Sequence, residues 1–310
     1  MRTQKVGQGE AHAKLILMGE HSVVYGEPAI ALPVQILRMT VTLTEQAFGQ
    51  YIQDNEMRNR LALMDDDFEG IRQLILRLLE KFHAANMPFS LEIDSNIPRG
   101  RGLGASAALA TAIVKAFYAF FDKPLREAEL LSHVNFSETI MHGRASGIDA
   151  ATVNSEKPLW FIKDKVTESL DIAQPGFLVI GDTGVRGLTT QAISIVQQKR
   201  ATNLAETQAQ IENLGQLTRD AREQLANSNL TELGSTMTQA QQILMELGVS
   251  HPALNNLIEV ALRSGALGAK LTGSGLGGVI VALAGDGADA IRISQALSKG
   301  GAQNTWIFSL

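Results

Sequence analysis

The chain has no cysteine, so disulfides, thiolate zinc sites and cysteine nucleophiles are excluded. It has no apolar run of the roughly 20 residues that a membrane-spanning helix requires. Its first ten residues, from Met1 to Glu10, are too polar for a secretory signal. A cytoplasmic protein is the expectation, with no membrane partner. Lysine and arginine form no cluster, and the formal net charge is −5, which argues against nucleic acid because a phosphate backbone demands a basic surface. Low-complexity segments and repeats at solenoid spacing are missing too. The Walker sequence G-x-x-x-x-G-K-[ST] does not occur, which excludes a P-loop enzyme, and neither H-E-x-x-H, H-R-D nor D-F-G is found.

What remains is an ordinary globular composition, 45% apolar and 19% charged, on a chain whose 310 residues exceed the usual single core. Two domains are expected. The boundary is sought between residues 154 and 174, and the working division is 1–160 and 161–310.

One stretch organises the rest: Pro98-Arg99-Gly100-Arg101-Gly102-Leu103-Gly104-Ala105-Ser106-Ala107-Ala108. Residues 89–94 before it alternate as a half-buried strand does, and residues 107–120 after it are helix formers. The stretch is therefore a strand-to-helix turn. Its glycines let the backbone approach a ligand, and the helix start aims unpaired N–H groups and a positive dipole end into the turn. That makes an anion site, most naturally for phosphate. Arg99 and Arg101 add positive charge, and Ser106 offers a hydroxyl to a phosphate or a metal. Two other patterns overlap it. Gly102, Gly104 and Ala107 satisfy G-x-G-x-x-A with Asp122 downstream, but a second helical stretch, 126–141, follows where a dinucleotide fold needs a strand. Ser106, Asp149 and His251 have the order of a hydrolase triad, but too many loop residues separate Ser106 from the strand.

Upstream, residues 11–18 read as a strand carrying Lys14 among apolar neighbours, a cost unless the ammonium is paired, used, or snorkels from an edge. Gly19-Glu20-His21-Ser22-Val23-Val24-Tyr25-Gly26 packs polar groups between glycines at the end of that strand, as a site wall would. Residues 28–37 and 39–44 read as two strands, 46–67 as irregular and 68–85 as a helix with period 3.6. Glu138, in the helical stretch after the glycine turn, is a candidate Mg²⁺ ligand, since magnesium takes few carboxylates and leans on substrate phosphates. Asp149, in Ser146-Gly147-Ile148-Asp149, reads equally as a turn or cap residue. Further on, 160–162 and 177–180 are strands, 181–190 is a loop entering a helix, and 191–248 is nearly all helix with breaks near 227–229 and Gly234. Ser250 and Pro252 open another helix, which Gly265 closes. The strands 266–271 and 279–284 flank Thr272-Gly273-Ser274-Gly275-Leu276-Gly277-Gly278, either a plain hairpin or a ligand loop.

Three of these segments, in this order, resemble the motifs of the GHMP small-molecule kinases. Lys14 with Gly19-Glu20-His21 resembles the first, 98–108 the phosphate-binding second, and 270–278 the glycine-rich third. The resemblance implies a two-domain α+β fold with ATP and substrate bound between the domains. It implies Asp149 as the catalytic aspartate facing the substrate hydroxyl, with Lys14 beside it. Pro98, Gly100, Gly102, Leu103, Gly104, Ala105, Ser106 and Ala107 would bind the nucleotide, and Ser106 and Glu138 would hold Mg²⁺. Glu20, His21, Thr189, Gly273 and Ser274 would contact the substrate. Within the family, Gly19 to Ile30 is most similar to the members that phosphorylate mevalonate, and galactokinases carry a different continuation. The resemblance leaves room for a homodimer. Two departures are local: residues 11–14 lack the Pro-Gly before lysine seen in many members, and Ala105 stands where serine is frequent. A rival acceptor, phosphomevalonate, would ask for extra Lys or Arg near the substrate, where Glu20 and His21 offer one acid instead.

Overall fold

The computed structural model describes residues 5–54, 58–142, 147–173 and 176–310. Its contacts group the chain into two units, one of Met1–Lys14, Pro33–Pro98 and Gly104–Ser155, the other of Leu15–Leu32, Arg99–Leu103 and Glu156–Leu310. Helices and sheets are mixed in both, as the α+β expectation requires. Two long strands, β1 (Val6–Met18) and β2 (Ala29–Glu45), pair with each other and contribute residues to both units.

In the first unit β3 (Gln50–Gln53), β4 (Arg58–Arg60) and β5 (Phe89–Ser95) complete a sheet in the order β4-β3-β5-β2. The β2–β5 ladder is antiparallel from Met39 opposite Ser95 to Glu45 opposite Phe89, and β3 joins β5 in parallel. α1 (Glu69–Lys81), α2 (Ala105–Phe120) and α3 (Glu127–His142) pack on one another, and the short α4 (Ile148–Thr152) touches α2 and α3. α1 buries Ile71, Leu74, Ile75, Leu78 and Leu79, one stripe at helical spacing. α2 is apolar on nearly every side, and most of its residues are buried, as a helix without a polar face must be.

Two expectations need correction here. The pair of strands 28–37 and 39–44 is one strand, because Arg38 keeps the ladder running: its N–H donates to Asn96 Oδ1 at 2.6 Å, just past the end of β5. β1 begins at Val6, not residue 11. Its inward residues there are Gly7 and Gly9, and a Cβ on either would lie within 2.3 Å of the Ala116 or 2.1 Å of the Ala112 carbonyl of α2. The strand lies too close to the helix for side chains, so no apolar alternation announces it.

The second unit adds a 3₁₀ turn, Ser22–Tyr25, and the short strands β6 (Leu159–Phe161) and β7 (Glu168–Ser169), β6 pairing with residues 29–31 of β2. After β8 (Phe177–Asp182) come α5 (Thr189–Thr202), α6 (Leu204–Ala226), α7 (Leu230–Glu246) and α8 (Pro252–Arg263). The chain ends with β9 (Gly268–Thr272), β10 (Val279–Ala284), α9 (Gly287–Lys299) and β11 (Asn304–Ser309). β8 to β11 form a four-stranded antiparallel sheet ordered β11-β8-β10-β9, on which α7, α8 and α9 pack. β9 and β10 are buried throughout; β10 accordingly reads as a continuous apolar run, whereas β9 carries Lys270 and Thr272 into the interior.

The expected helix break at 227–229 is present, with Asn229 capping α7 through the Glu232 N–H, and a second break at Asn203 caps α6 through Glu206. Gly234 is not a break. It lies inside α7, where a Cβ would come within 2.3 Å of the Leu267 carbonyl, so this glycine serves a close helix–strand approach. Thr272 and Val279 are paired, which makes residues 273–278 the loop of a β9–β10 hairpin.

Candidate active site

In the first unit the polar centre is built on β1, α2, α3 and α4. Lys14 is 3% exposed, and its Nζ lies 2.9 Å from Asp149 Oδ1, whose side chain is 33% exposed. The lysine therefore does not snorkel; it is buried and paired. Asp149 occupies the first turn of α4, whose N-cap Gly147 has φ 85°. The far end of α4 is tied to β1, with the His12 N–H donating to the Val153 carbonyl at 3.3 Å and His12 Nε2 2.8 Å from the Ser155 carbonyl. Burial holds the His12 imidazole below its ordinary pKa against the pull of its two backbone bonds. Of the motif Ser146-Gly147-Ile148-Asp149, Ser146 lies outside the described residues, as does the helix end expected at Gly143.

The start of α2 reaches the same lysine. Its N-cap Gly104 has φ 73°, and a Cβ there would stand 2.8 Å from Lys14 Cγ and 3.2 Å from Val153 Cγ1. Only glycine lets the helix begin this close to the lysine stem. Within the first turn, Ser106 Oγ donates to Glu138 Oε1 of α3 at 2.5 Å, and Glu138 is 6% exposed. A serine hydroxyl and a buried carboxylate side by side are hard oxygen donors of the kind Mg²⁺ takes, so this pair fits the expected metal ligands in chemistry. No group of three or more His, Cys, Asp or Glu side chains able to hold a metal by themselves is found among the described residues.

The second unit holds the other expected residues. His21 sits at φ 61° and ψ −44° before the 3₁₀ turn, 8% exposed, with Nε2 2.9 Å from the Ser274 carbonyl. Ser274 Oγ and Thr189 Oγ1, the latter at the start of α5, are 3.0 Å apart. Gly100 accepts the Gly187 N–H at 2.9 Å, and a Cβ on Gly102 would meet the Thr272 carbonyl at 3.4 Å, so residues 100–102 run beside the hairpin loop. Glu20 is 1% exposed, and its Oε1 is paired with Lys270 Nζ of β9, itself fully buried. The carboxylate expected at the substrate is thus held inside the protein.

Two further readings change. Arg101, expected to add charge to a phosphate site, spends its guanidinium on Asp182 Oδ1 (2.8 Å) and the Gly184 carbonyl (2.9 Å), bracing the glycine turn against the loop after β8. His251 accepts the Ala253 N–H at 3.1 Å as the cap of α8, and Ser106 is bonded to Glu138, so each member of the hydrolase alternative has another partner. Lys270, which opens the glycine-rich third motif, carries an ion pair that its place in the motif did not announce. The argument applied to Lys14, a lysine inside an apolar strand, applies equally to Ala269-Lys270-Leu271.

The GHMP kinases N-terminal domain model matches residues 71–155, and the GHMP kinases C-terminal model matches 221–303. A mevalonate kinase of Pyrococcus abyssi is 31% identical over 295 residues, covering 88% of this chain and 87% of its own length. One of Methanothermobacter thermautotrophicus is 31% identical over 273 residues, with 88% of each covered. Among solved structures, mevalonate kinase from methicillin-resistant Staphylococcus aureus MRSA252 is 32% identical with a TM-score of 0.74, covering 98% of both chains. The L. major mevalonate kinase solved with R-mevalonate, at 22% identity and TM-score 0.84 over 100% of this chain and 96% of that one, shares the fold. With both halves of the family signature present and relatives matched along most of their length, the chain belongs to the GHMP kinases.

Proposed function

We propose that this protein transfers the γ-phosphoryl group of ATP to the primary hydroxyl of mevalonate, giving 5-phosphomevalonate and ADP. The observation that carries the reading is the buried Lys14 paired with the half-exposed Asp149 at the start of α4, beside the first turn of α2. Relatives at 31% identity, named mevalonate kinases, supply the acceptor.

Phosphoryl transfer needs in-line positioning and neutralisation of charge more than covalent help. Asp149 accepts or orients the hydroxyl proton while the oxygen attacks the γ-phosphorus and the bond to ADP breaks. The Lys14 ammonium lowers the cost of negative charge growing on that oxygen. Pro98, Gly100, Gly102, Leu103, Gly104, Ala105, Ser106 and Ala107 line the triphosphate, with N–H groups at the α2 start serving as anion donors. Ser106 and Glu138 are the residues that would hold Mg²⁺, which when bound neutralises phosphate charge. His21, Thr189, Gly273 and Ser274 contact the acceptor. Glu20 serves the acceptor side from its buried ion pair.

A coupled ADP-release assay across mevalonate, phosphomevalonate, homoserine and galactose tests this. Turnover with mevalonate well above the other three is expected, and preferential use of phosphomevalonate would replace the reading with its rival.

A further inference from the structure

The first and third motifs are joined by a ladder of side-chain bonds. Thr272 Oγ1 accepts the Ile16 N–H at 3.0 Å and donates to the Ile16 carbonyl at 2.8 Å. Four residues further along the chain, just past the end of β1, Glu20 is paired with Lys270, which also donates to the Leu271 carbonyl at 2.7 Å. Next to Glu20 comes His21, bonded through Nε2 to the Ser274 carbonyl.

His21 is the residue that this ladder constrains. Its backbone, at φ 61° and ψ −44°, lies outside the favoured basins of a side-chain-bearing residue. Such a setting persists only where the surroundings over-determine it. Anchors sit on each side of it: the Glu20–Lys270 pair before, and after it the Ser22 hydroxyl on the Gly19 carbonyl at 3.3 Å. A carbonyl oxygen only accepts, so Nε2 must carry the proton, and in the neutral ring Nδ1 is then an acceptor. Burial lowers the His21 pKa, with the Lys270 charge acting in the same sense against the Ser274 bond. The neutral ring therefore offers Nδ1 as a hydrogen-bond acceptor.

We propose that Lys270 is a positioning residue: by gripping Glu20 it locks His21 in its strained backbone setting with Nε2 on Ser274, leaving Nδ1 as the acceptor for a hydroxyl of the alcohol substrate. The proposal deepens the acceptor reading above and rests on it for the identity of the alcohol. A purely structural ion pair would stabilise the fold and leave the ring alone.

The test compares wild type with Lys270→Met and with Lys270→Met/Glu20→Gln. The single variant leaves a buried carboxylate uncompensated and loses thermal stability, whereas the double variant has no unpaired buried charge and recovers much of it. Both raise the KM for mevalonate by about tenfold or more while the KM for ATP moves less than about twofold, the scale expected when a contact group is misplaced. Without any substrate, ¹⁵N NMR of the His21 ring shows loss of the Nε2–H tautomer preference in the double variant. If that variant is stable and keeps both the wild-type KM for mevalonate and the wild-type ring spectrum, Lys270 is structural and the proposal is overturned. A raised KM with an unchanged ring spectrum overturns the route through His21. If wild type ignores mevalonate, the acceptor reading fails, and the ring spectra still decide whether Lys270 positions His21.

Discussion

Among the described residues, two lysine–carboxylate pairs have a buried lysine, and they are used in opposite ways. Lys14 and Asp149 pair with the lysine 3% and the aspartate 33% exposed, whereas Lys270 and Glu20 are 0% and 1% exposed. The first pair keeps one carboxylate face open at a helix start, where a hydroxyl can reach it. The second has no face left for a ligand. Burial of both charges costs several kcal/mol per ion and is repaid only by good geometry, so a sealed pair can hold a segment in place but cannot receive a substrate. Exposure of the acid, more than the presence of the ion pair, separates a group for chemistry from a group for support.

The largest expected effect breaks the sealed pair. Lys270→Met strands Glu20 in the interior and is expected to cost about 3–5 kcal/mol of stability, read by urea denaturation. Lys14→Met removes the same kind of charge, but its partner can turn to water; its melting temperature should hold or rise. A large fall in the Lys14→Met melting temperature would erase the distinction between the two sites.

On activity the order reverses. Asp149→Asn keeps the fold and nucleotide binding, and is expected to lower kcat by at least about a hundredfold, the lower range for a positioned proton acceptor. Turnover within a few-fold of wild type would remove Asp149 from the chemistry. Lys14→Met should lower kcat and kcat/KM together by about 2–4 kcal/mol of transition-state stabilisation. Smaller again, Ser106→Ala and Glu138→Gln should each raise the Mg²⁺ concentration needed for half-maximal rate, since each removes an oxygen ligand. Titration of Mg²⁺ at saturating ATP reads this directly, and an unchanged half-saturation in both would contradict their assignment. The smallest effect belongs to a surface pair of the same type: Lys157 and Asp171 are 2.8 Å apart but 60% and 90% exposed. Solvent screens such pairs, and Lys157→Ala should leave the melting temperature unchanged.

Legibility followed burial. β5, the glycine turn, α2 and β10 could be read because their apolar patterns end at turn residues, and α1 because its stripe repeats at helical spacing. The start of β1 could not, because its inward residues are glycines shaped by α2. Gly234 misled for the same reason, its close neighbour Leu267 lying 33 residues further along the chain. Arg101 looked like phosphate charge because nothing local reveals Asp182 as its partner.

The sequence by itself determined the order and content of the three motifs, the helix and strand periods around them, and the presence of a lysine that had to be paired, used or left to snorkel from an edge. These are local properties, set by spacing, by caps and by the cost of a buried ammonium. The resemblance already set Lys14 beside Asp149 and Ser106 with Glu138, but the residues alone did not, and that Glu20 answers Lys270 was decided only by the tertiary structure. Asp149 goes to Lys14 from 135 residues away, Glu20 to Lys270 across 250, and Ser106 to Glu138 across 32. Such pairings depend on how sheets and helices bring distant backbone together, and a charge written in the sequence carries no record of the partner that folding will supply.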